Sequence, residues 1–208
     1  MKIHDVKQGS GEWLACRLGV VTASEIGALV SPLWKVREGD GVRTYLYQKL
    51  AERVMGWRDP GPNTWAMDQG KIVETMALPW YEFAFDAKID RVGFITSDDG
   101  RIGCSPDGLL EDGGIEIKAP QPPTHLRYLL ANEVPAQYRA QVQFSMFVTG
   151  RPWWKFVSYS PFLPPLVLHV ERDPKAQDAL KTATDLFLAE LDAAETRVRA
   201  LMPQGGRA

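Results

Sequence analysis

Apolar residues recur along this chain at two periods, and the switches between them divide it into helical and extended stretches. Residues 10–30 read as two short helices. The second opens on Thr22-Ala-Ser-Glu25, a capping-box pattern with Thr22 at the N-cap and Glu25 three residues on. After a loop over 31–41, Tyr45, Leu46, Leu50 and Val54 form the stripe of a helix over about 41–55. A Pro- and Gly-rich loop at 59–63 leads to a helix over about 65–85, which Pro79 is expected to kink or split. The period then drops to two. Ile89–Thr96, Arg101–Leu110 and Ile115–Ala119 read as strands of a meander, with turns at Asp98-Asp-Gly100 and Glu111-Asp-Gly-Gly114. Beyond Pro120, Pro122 and Pro123, helices are expected at about 124–132 and 135–149 and strands at Trp153–Tyr159 and Leu166–Glu171. A last amphipathic helix runs from Asp173-Pro174 to about 201. This order predicts one α/β domain over 1–208, a mixed central β-sheet flanked by helices, with a disordered tail from about 203.

Composition narrows the class without choosing a function. The 208 residues are 45% hydrophobic and 24% charged, ordinary for a soluble globular chain long enough to bury a core. No basic leader and no apolar run of roughly 20 residues is present, so a cytoplasmic protein with no membrane partner is expected. Two cysteines, Cys16 and Cys104, are too few for a four-thiolate metal site and read as small buried residues. A formal charge of −2 argues against a protein that coats nucleic acid non-specifically, but an acidic site can offset a local basic channel. His4, His125 and His169 show no ligand spacing. Trp153-Trp154 alternating with Phe156 reads as packing, and Lys35, Arg37 and Arg43 as loop cations that solvent or a phosphate would serve equally.

The chemistry concentrates in Ser105-Pro106-Asp107-Gly108 and, nine residues after Asp107, Glu116-Ile117-Lys118. A tight hairpin sets Asp107, late on one strand, near Glu116, early on the next. Glu116 and Lys118 share one face of their strand, while Ile117 points into the core and keeps its carbonyl available as a hard oxygen ligand. Two carboxylates, a carbonyl and waters suit Mg²⁺, and Lys118 could orient or deprotonate a water or offset charge on phosphorus. Glu74, on the preceding helix, is the candidate for a second-metal or water-mediated position. Asp in a Pro-Asp-Gly turn is also an everyday surface residue, so the pattern alone is not decisive.

Taken in order, five motifs resemble the phage lambda exonuclease and the related viral-type (YqaJ-like) recombination nucleases, a branch of the restriction-endonuclease-like superfamily. They are Gly11-Glu12-Trp13 with Arg17–Glu25, Gly70-Lys71 leading to Glu74, Cys104–Leu109, Ile115–Pro120, and Tyr138–Met146 followed by Val170–Asp173. The resemblance implies a restriction-endonuclease-like core and a 5′-to-3′ exonuclease on double-stranded DNA. It would need Mg²⁺, two ions with Mn²⁺ able to substitute, release 5′-mononucleotides and leave a 3′ single-stranded overhang. It also implies a homotrimer ring threaded by the duplex and a single-strand DNA annealing protein as recombination partner. Carried over by position, Asp107, Glu116 and the Ile117 carbonyl bind metal, Lys118 is the catalytic lysine, Glu74 and Gln141 hold the second metal and the water, and Tyr138 lies close by. Arg17, Thr22, Ser24 and Ser105 would bind the terminal 5′-phosphate, through a guanidinium, hydroxyls and helix-start N–H groups. Met67 falls where the family places an apolar wedge between the strands, a position a core methionine would also fill.

Two rivals remain. An endonuclease of the same fold would cut a closed circle, whereas an end-dependent enzyme would not. A non-catalytic DNA-end-binding recombination protein would bind DNA without needing Lys118.

Overall fold

The computed structural model describes residues 1–58 and 65–202, with side chains throughout except those of residues 65–72 and 74. In chain order the elements are β1 (Lys2–His4), α1 (Gly11–Arg17), β2 (Val21–Thr22), a 3-10 turn (Ile26–Ala28), α2 (Asp40–Met55), α3 (Trp65–Phe85), β3 (Phe94–Thr96), β4 (Ile102–Cys104), β5 (Gly108–Leu109), β6 (Gly113–Lys118), α4 (Pro122–Ala131), α5 (Ala136–Thr149), β7 (Trp153–Ser158), β8 (Leu166–Glu171) and α6 (Pro174–Leu201).

The strands form two four-stranded mixed sheets, ordered β1-β3-β4-β2 and β5-β6-β7-β8, where the sequence reading expected one. The parallel pairs are β2 with β4 and β6 with β7. The separation happens inside the segment read as a single strand over Arg101–Leu110. That segment breaks at Ser105-Pro106-Asp107, leaving one sheet after Cys104 and joining the other at Gly108. Proline has no N–H to continue a ladder, and the Gln8 side-chain amide holds the Pro106 carbonyl at 2.9 Å.

The second sheet is covered on both faces, and its period-two pattern is split between them. Ile115, Ile117 and Val157 pack with Ala77, Leu78 and Tyr81 of α3. Trp154 and Phe156 point the other way, into a larger core with Phe144 and Met146 of α5, Tyr45 and Leu50 of α2, and Leu180, Phe187 and Leu191 of α6. Tyr45 stacks on Phe187 with ring centres 5.1 Å apart. The buried residues of α6 recur at three- and four-residue steps, and its start is capped by Asp173, whose carboxylate accepts the Lys175 N–H.

Three local expectations are corrected. Thr22 does not cap a helix. Its backbone is drawn into the sheet, with Val21 N–H donating to Arg101 and Ala23 N–H to Gly103, and only a 3-10 turn follows. Pro79 leaves α3 one continuous helix; it lies on the exposed side, while Ala77, Leu78 and Tyr81 anchor that helix to the sheet. Gly113 and Gly114, read as a turn, belong to β6. Their parallel partners are Trp153 and Trp154, whose rings lie over the glycines so closely that a Cβ at Gly114 would fall 2.3 Å from the Trp154 ring. Trp154 is fully buried and cannot retreat. Gly114→Ala is therefore expected to lower folding stability by about 1–3 kcal/mol, seen as a lower urea midpoint; an unchanged midpoint would show that this sheet tolerates a side chain there.

Candidate active site

Asp107 and Glu116 arrive at one place because β5 is short. The register Gly108 with Ile115 and Leu109 with Gly114, continued by one residue, sets Asp107 opposite Glu116. Beyond Gly108 the ladder is completed from the Asp107 side: its backbone N–H donates to the Ile115 carbonyl at 3.2 Å, and its Oδ2 accepts the Ile117 N–H at 2.6 Å. In a strand the N–H and C=O of one residue point to the same edge. The Ile117 carbonyl therefore lies on the edge that Asp107 occupies, past the end of β5.

Glu116 is 3% exposed, and a carboxylate so deeply placed demands partners. Its Oε1 receives the Lys118 ammonium at 2.7 Å and the Gln141 amide at 2.5 Å. Burial alone would depress the Lys118 pKa, but Glu116, and then Asp107, overcome it and hold the ammonium above its usual range. The Lys118 Nζ also sits 5.0 Å from the Tyr138 ring, which is tilted on Phe156 and edge-on to Tyr128. Thus Asp107, Glu116, Ile117, Lys118, Gln141 and Tyr138 are gathered by β6, the turn before β5 and the first two turns of α5. Glu74 and Met67 fall on α3, but their side chains lie outside the described residues.

The donor set suits a hard divalent cation, since all three proposed ligands offer oxygen and two are carboxylates. Among the described residues, no three His, Cys, Asp or Glu side chains converge on one point. A Mg²⁺ ion, which keeps several waters, needs fewer protein ligands than that.

A second polar cluster is built on α1 and the turn after β2. The Arg17 guanidinium donates through Nη1 to Ser105 Oγ at 3.1 Å and through Nη2 to Ser24 Oγ at 3.2 Å. Its flat face lies 4.2 Å over the Trp13 ring, and the Trp13 indole N–H reaches Ser105 Oγ at 2.9 Å. Burial pulls the Arg17 pKa down, partly countered by Glu25. Thr22 is fully buried, with its hydroxyl 3.3 Å from Ser24 Oγ and 3.0 Å from Glu25 Oε2. Arg17, Ser24, Ser105 and Thr22 thus form one constellation.

Sequence reasoning missed several supports. Trp13, which the sequence favours for burial over stacking beside an entering DNA end, is half-buried and orients both Arg17 and Ser105. Its spacing four residues before Arg17 on a helix was the available signal. Arg151 gave none: its Nη1 holds the carbonyls of Leu110, Glu111 and Gly113, locking the hairpin between β5 and β6 from 40 residues away in sequence. His125 lies buried between Ser158 Oγ and the Pro164 carbonyl, and His169 against Trp153. Cys104 is buried, and burial pushes its thiol far above the reactive range. Lys35, Arg37 and Arg43 sit on or beside the loop before α2, Lys35 and Arg37 exposed.

Residues 12–152 match the model of the YqaJ-like viral recombinase domain. Among solved structures, the alkaline exonuclease LHK-Exo of Laribacter hongkongensis is 30% identical, with a TM-score of 0.83 over 92% of this chain and 97% of its own. LHK-Exo in complex with dAMP gives 0.82 over the same shares. A phage-related exonuclease from Haemophilus somnus 129PT, 11% identical, gives 0.66 over 86% and 96%, a likeness that speaks to fold alone. No curated protein sequence matches the chain.

Proposed function

The chain belongs to the YqaJ-like viral recombinase family and is 30% identical to an alkaline exonuclease, and from that premise we propose a metal-dependent 5′-to-3′ exonuclease on double-stranded DNA. It would release 5′-mononucleotides and leave a 3′ single strand for annealing-type recombination.

The observation that carries this reading is the bridge between the two sheets. Ser105, in the Arg17 cluster, and Asp107, in the acidic cluster, are two residues apart on opposite sides of Pro106. Two residues of extended chain span at most about 7 Å, a length on the order of one nucleotide. A terminal phosphate held by Arg17, Ser24 and Ser105 therefore places the next phosphodiester near Asp107 and Glu116, and the piece removed is a single nucleotide. LHK-Exo binds dAMP, a molecule of that product class.

In this reading Asp107, Glu116 and the Ile117 carbonyl hold Mg²⁺, with Glu74 as a further ligand where a second ion binds. The ion supplies Lewis-acid stabilisation and a more acidic water. Gln141 fixes the Glu116 carboxylate by donating to it. Lys118, kept as an ammonium, donates to the water or to the phosphate oxygens as negative charge grows. Tyr138 offers its ring face to the Lys118 ammonium at 5.0 Å and so helps hold it at the site. Arg17 reads the terminal phosphate as a two-pronged donor, and Met67 is the candidate wedge between the strands.

The test compares a blunt linear duplex with a covalently closed circle, each with Mg²⁺ and with chelator. Digestion of the linear form alone, and only with Mg²⁺, is expected; nicking of the circle would favour the endonuclease. Arg17→Ala is expected to reduce the preference for 5′-phosphorylated over 5′-hydroxyl ends by about tenfold or more; an unaltered preference would remove the phosphate assignment. The same family reading carries a homotrimer ring and a single-strand annealing protein as partner. Sedimentation at three times the chain mass is the expected result, and a monomer would contradict it.

A further inference from the structure

Behind the Arg17 cluster lies a second tier of charges that the cleavage chemistry does not use. Lys49 is 0% exposed yet carries an ammonium, and it bonds Glu25 Oε2 and Glu52 Oε2 at 2.9 Å each. Arg58 donates to Glu25 Oε1 at 2.8 Å, and the Tyr45 hydroxyl lies 3.4 Å from Glu25 Oε2. Glu52 in turn accepts the Gly19 N–H at 2.9 Å, and the Arg53 Nε donates to the Gly19 carbonyl. Helix α2 thus grips both ends of the 19–25 loop that follows Arg17.

Glu25 connects this tier to the cluster. Only the Thr22 hydroxyl can donate in its 3.0 Å contact with Glu25, because a carboxylate accepts only. With its one proton committed inward, Thr22 can only accept toward Ser24. Ser24 Oγ can then receive Arg17 Nη2 and keep its own proton for Thr22 or a ligand. Ser105 Oγ has both acceptor positions taken, by Trp13 and Arg17, so what it has left to offer is a proton. The result is a seat with hydrogen-bond donors only, suited to a phosphate. Lys49 and Arg58 neutralise the Glu25 carboxylate, which would otherwise repel an anion at that distance.

We propose that Glu25, held by Lys49 and Arg58, is a positioning residue for 5′-end recognition, fixing the Thr22 hydroxyl so that Ser24 and Arg17 present donors to a terminal phosphate. This rests on reading the Arg17, Ser24 and Ser105 cluster as the seat of that phosphate. A neutral amide at position 25 can offer its own N–H to Thr22. The Thr22 hydroxyl then loses its fixed orientation, and the 22–25 turn, no longer tied by a carboxylate to Lys49 and Arg58, loses the anchor that holds Ser24 Oγ beside Arg17.

The test measures dissociation constants of a short blunt duplex with 5′-phosphate or 5′-hydroxyl ends, in chelator so that no cleavage occurs, by fluorescence anisotropy. Wild type is expected to favour the phosphorylated duplex. Glu25→Gln lowers that preference about tenfold, and the near-isosteric Thr22→Val does the same. The double variant loses no more than either single one, because both act through one hydrogen bond. A change that merely loosened the fold would weaken both duplexes alike and leave the ratio intact. Should Glu25→Gln melt below the assay temperature, Glu25→Asp takes its place: it keeps the charge but is too short to hold the Thr22 hydroxyl, so it must lose the preference by itself. Preference retained in either variant, or losses that multiply to about a hundredfold in the double variant, overturns the proposal while leaving the phosphate seat standing. A wild-type protein that binds both duplexes equally overturns seat and tier together.

Discussion

Lys118→Ala is expected to reduce single-turnover cleavage of a phosphorylated duplex by about a thousandfold, while leaving duplex affinity within about threefold. The magnitude follows from where the ammonium sits. It is 2.7 Å from Glu116 and held charged by both carboxylates of the site. Its contribution therefore falls on charge that develops during hydrolysis, when a phosphorane gains negative charge that one cation can offset. Binding is spread over many phosphate contacts and does not depend on that cation. Rapid-quench cleavage and anisotropy separate the two quantities. Cleavage within tenfold of wild type would demote Lys118 to a surface-facing ion pair, and parallel loss of affinity would make it a DNA anchor instead.

The second large effect is on stability in acid. Burial would raise the Glu25 carboxyl, but Lys49 and Arg58 outweigh it and bring its pKa from 4.5 to about 2. A group whose folded pKa is depressed stabilises the fold above its ordinary pKa and loses that contribution as pH falls toward the folded value. For Glu25 the contribution is complete above about pH 4.5 and gone below about pH 2. Its size is at most roughly 3 kcal/mol, enough to matter in a protein of ordinary stability. Denaturant midpoints measured from pH 6 to pH 2 are expected to fall more steeply for wild type than for Glu25→Gln. Parallel curves for the two proteins would show that the buried network is not what acid undoes.

Much of the site was legible because it is written locally. Asp107, Glu116 and Lys118 lie within twelve residues on neighbouring strands, where period and turn residues give orientation directly. Helices α2, α5 and α6 were equally plain, since each carries its own apolar stripe. What could not be read depended on distant partners. Gly113 and Gly114 look like a turn until the two tryptophans 40 residues later are placed over them. Thr22-Ala-Ser-Glu25 has the letters of a capping box. Pairing with β4 and the pull of a buried lysine on α2 give the same letters a different use. The break at Pro106 was visible as a turn-prone residue, but that it moves the chain from one sheet to another needed both sheets. Among the described residues no helix is long and apolar enough to cross a bilayer.

The central claim is that one short bridge, Ser105 to Asp107, joins a terminal-phosphate seat to a metal-binding hydrolytic centre. Its most direct measurement is a Mg²⁺-dependent time course on a linear duplex labelled at the 5′ end of one strand and the 3′ end of the other. The 5′ label should leave first as a mononucleotide while the 3′ label persists in long single strands. Release of the 3′ label first, or of internal fragments from either strand, would contradict it.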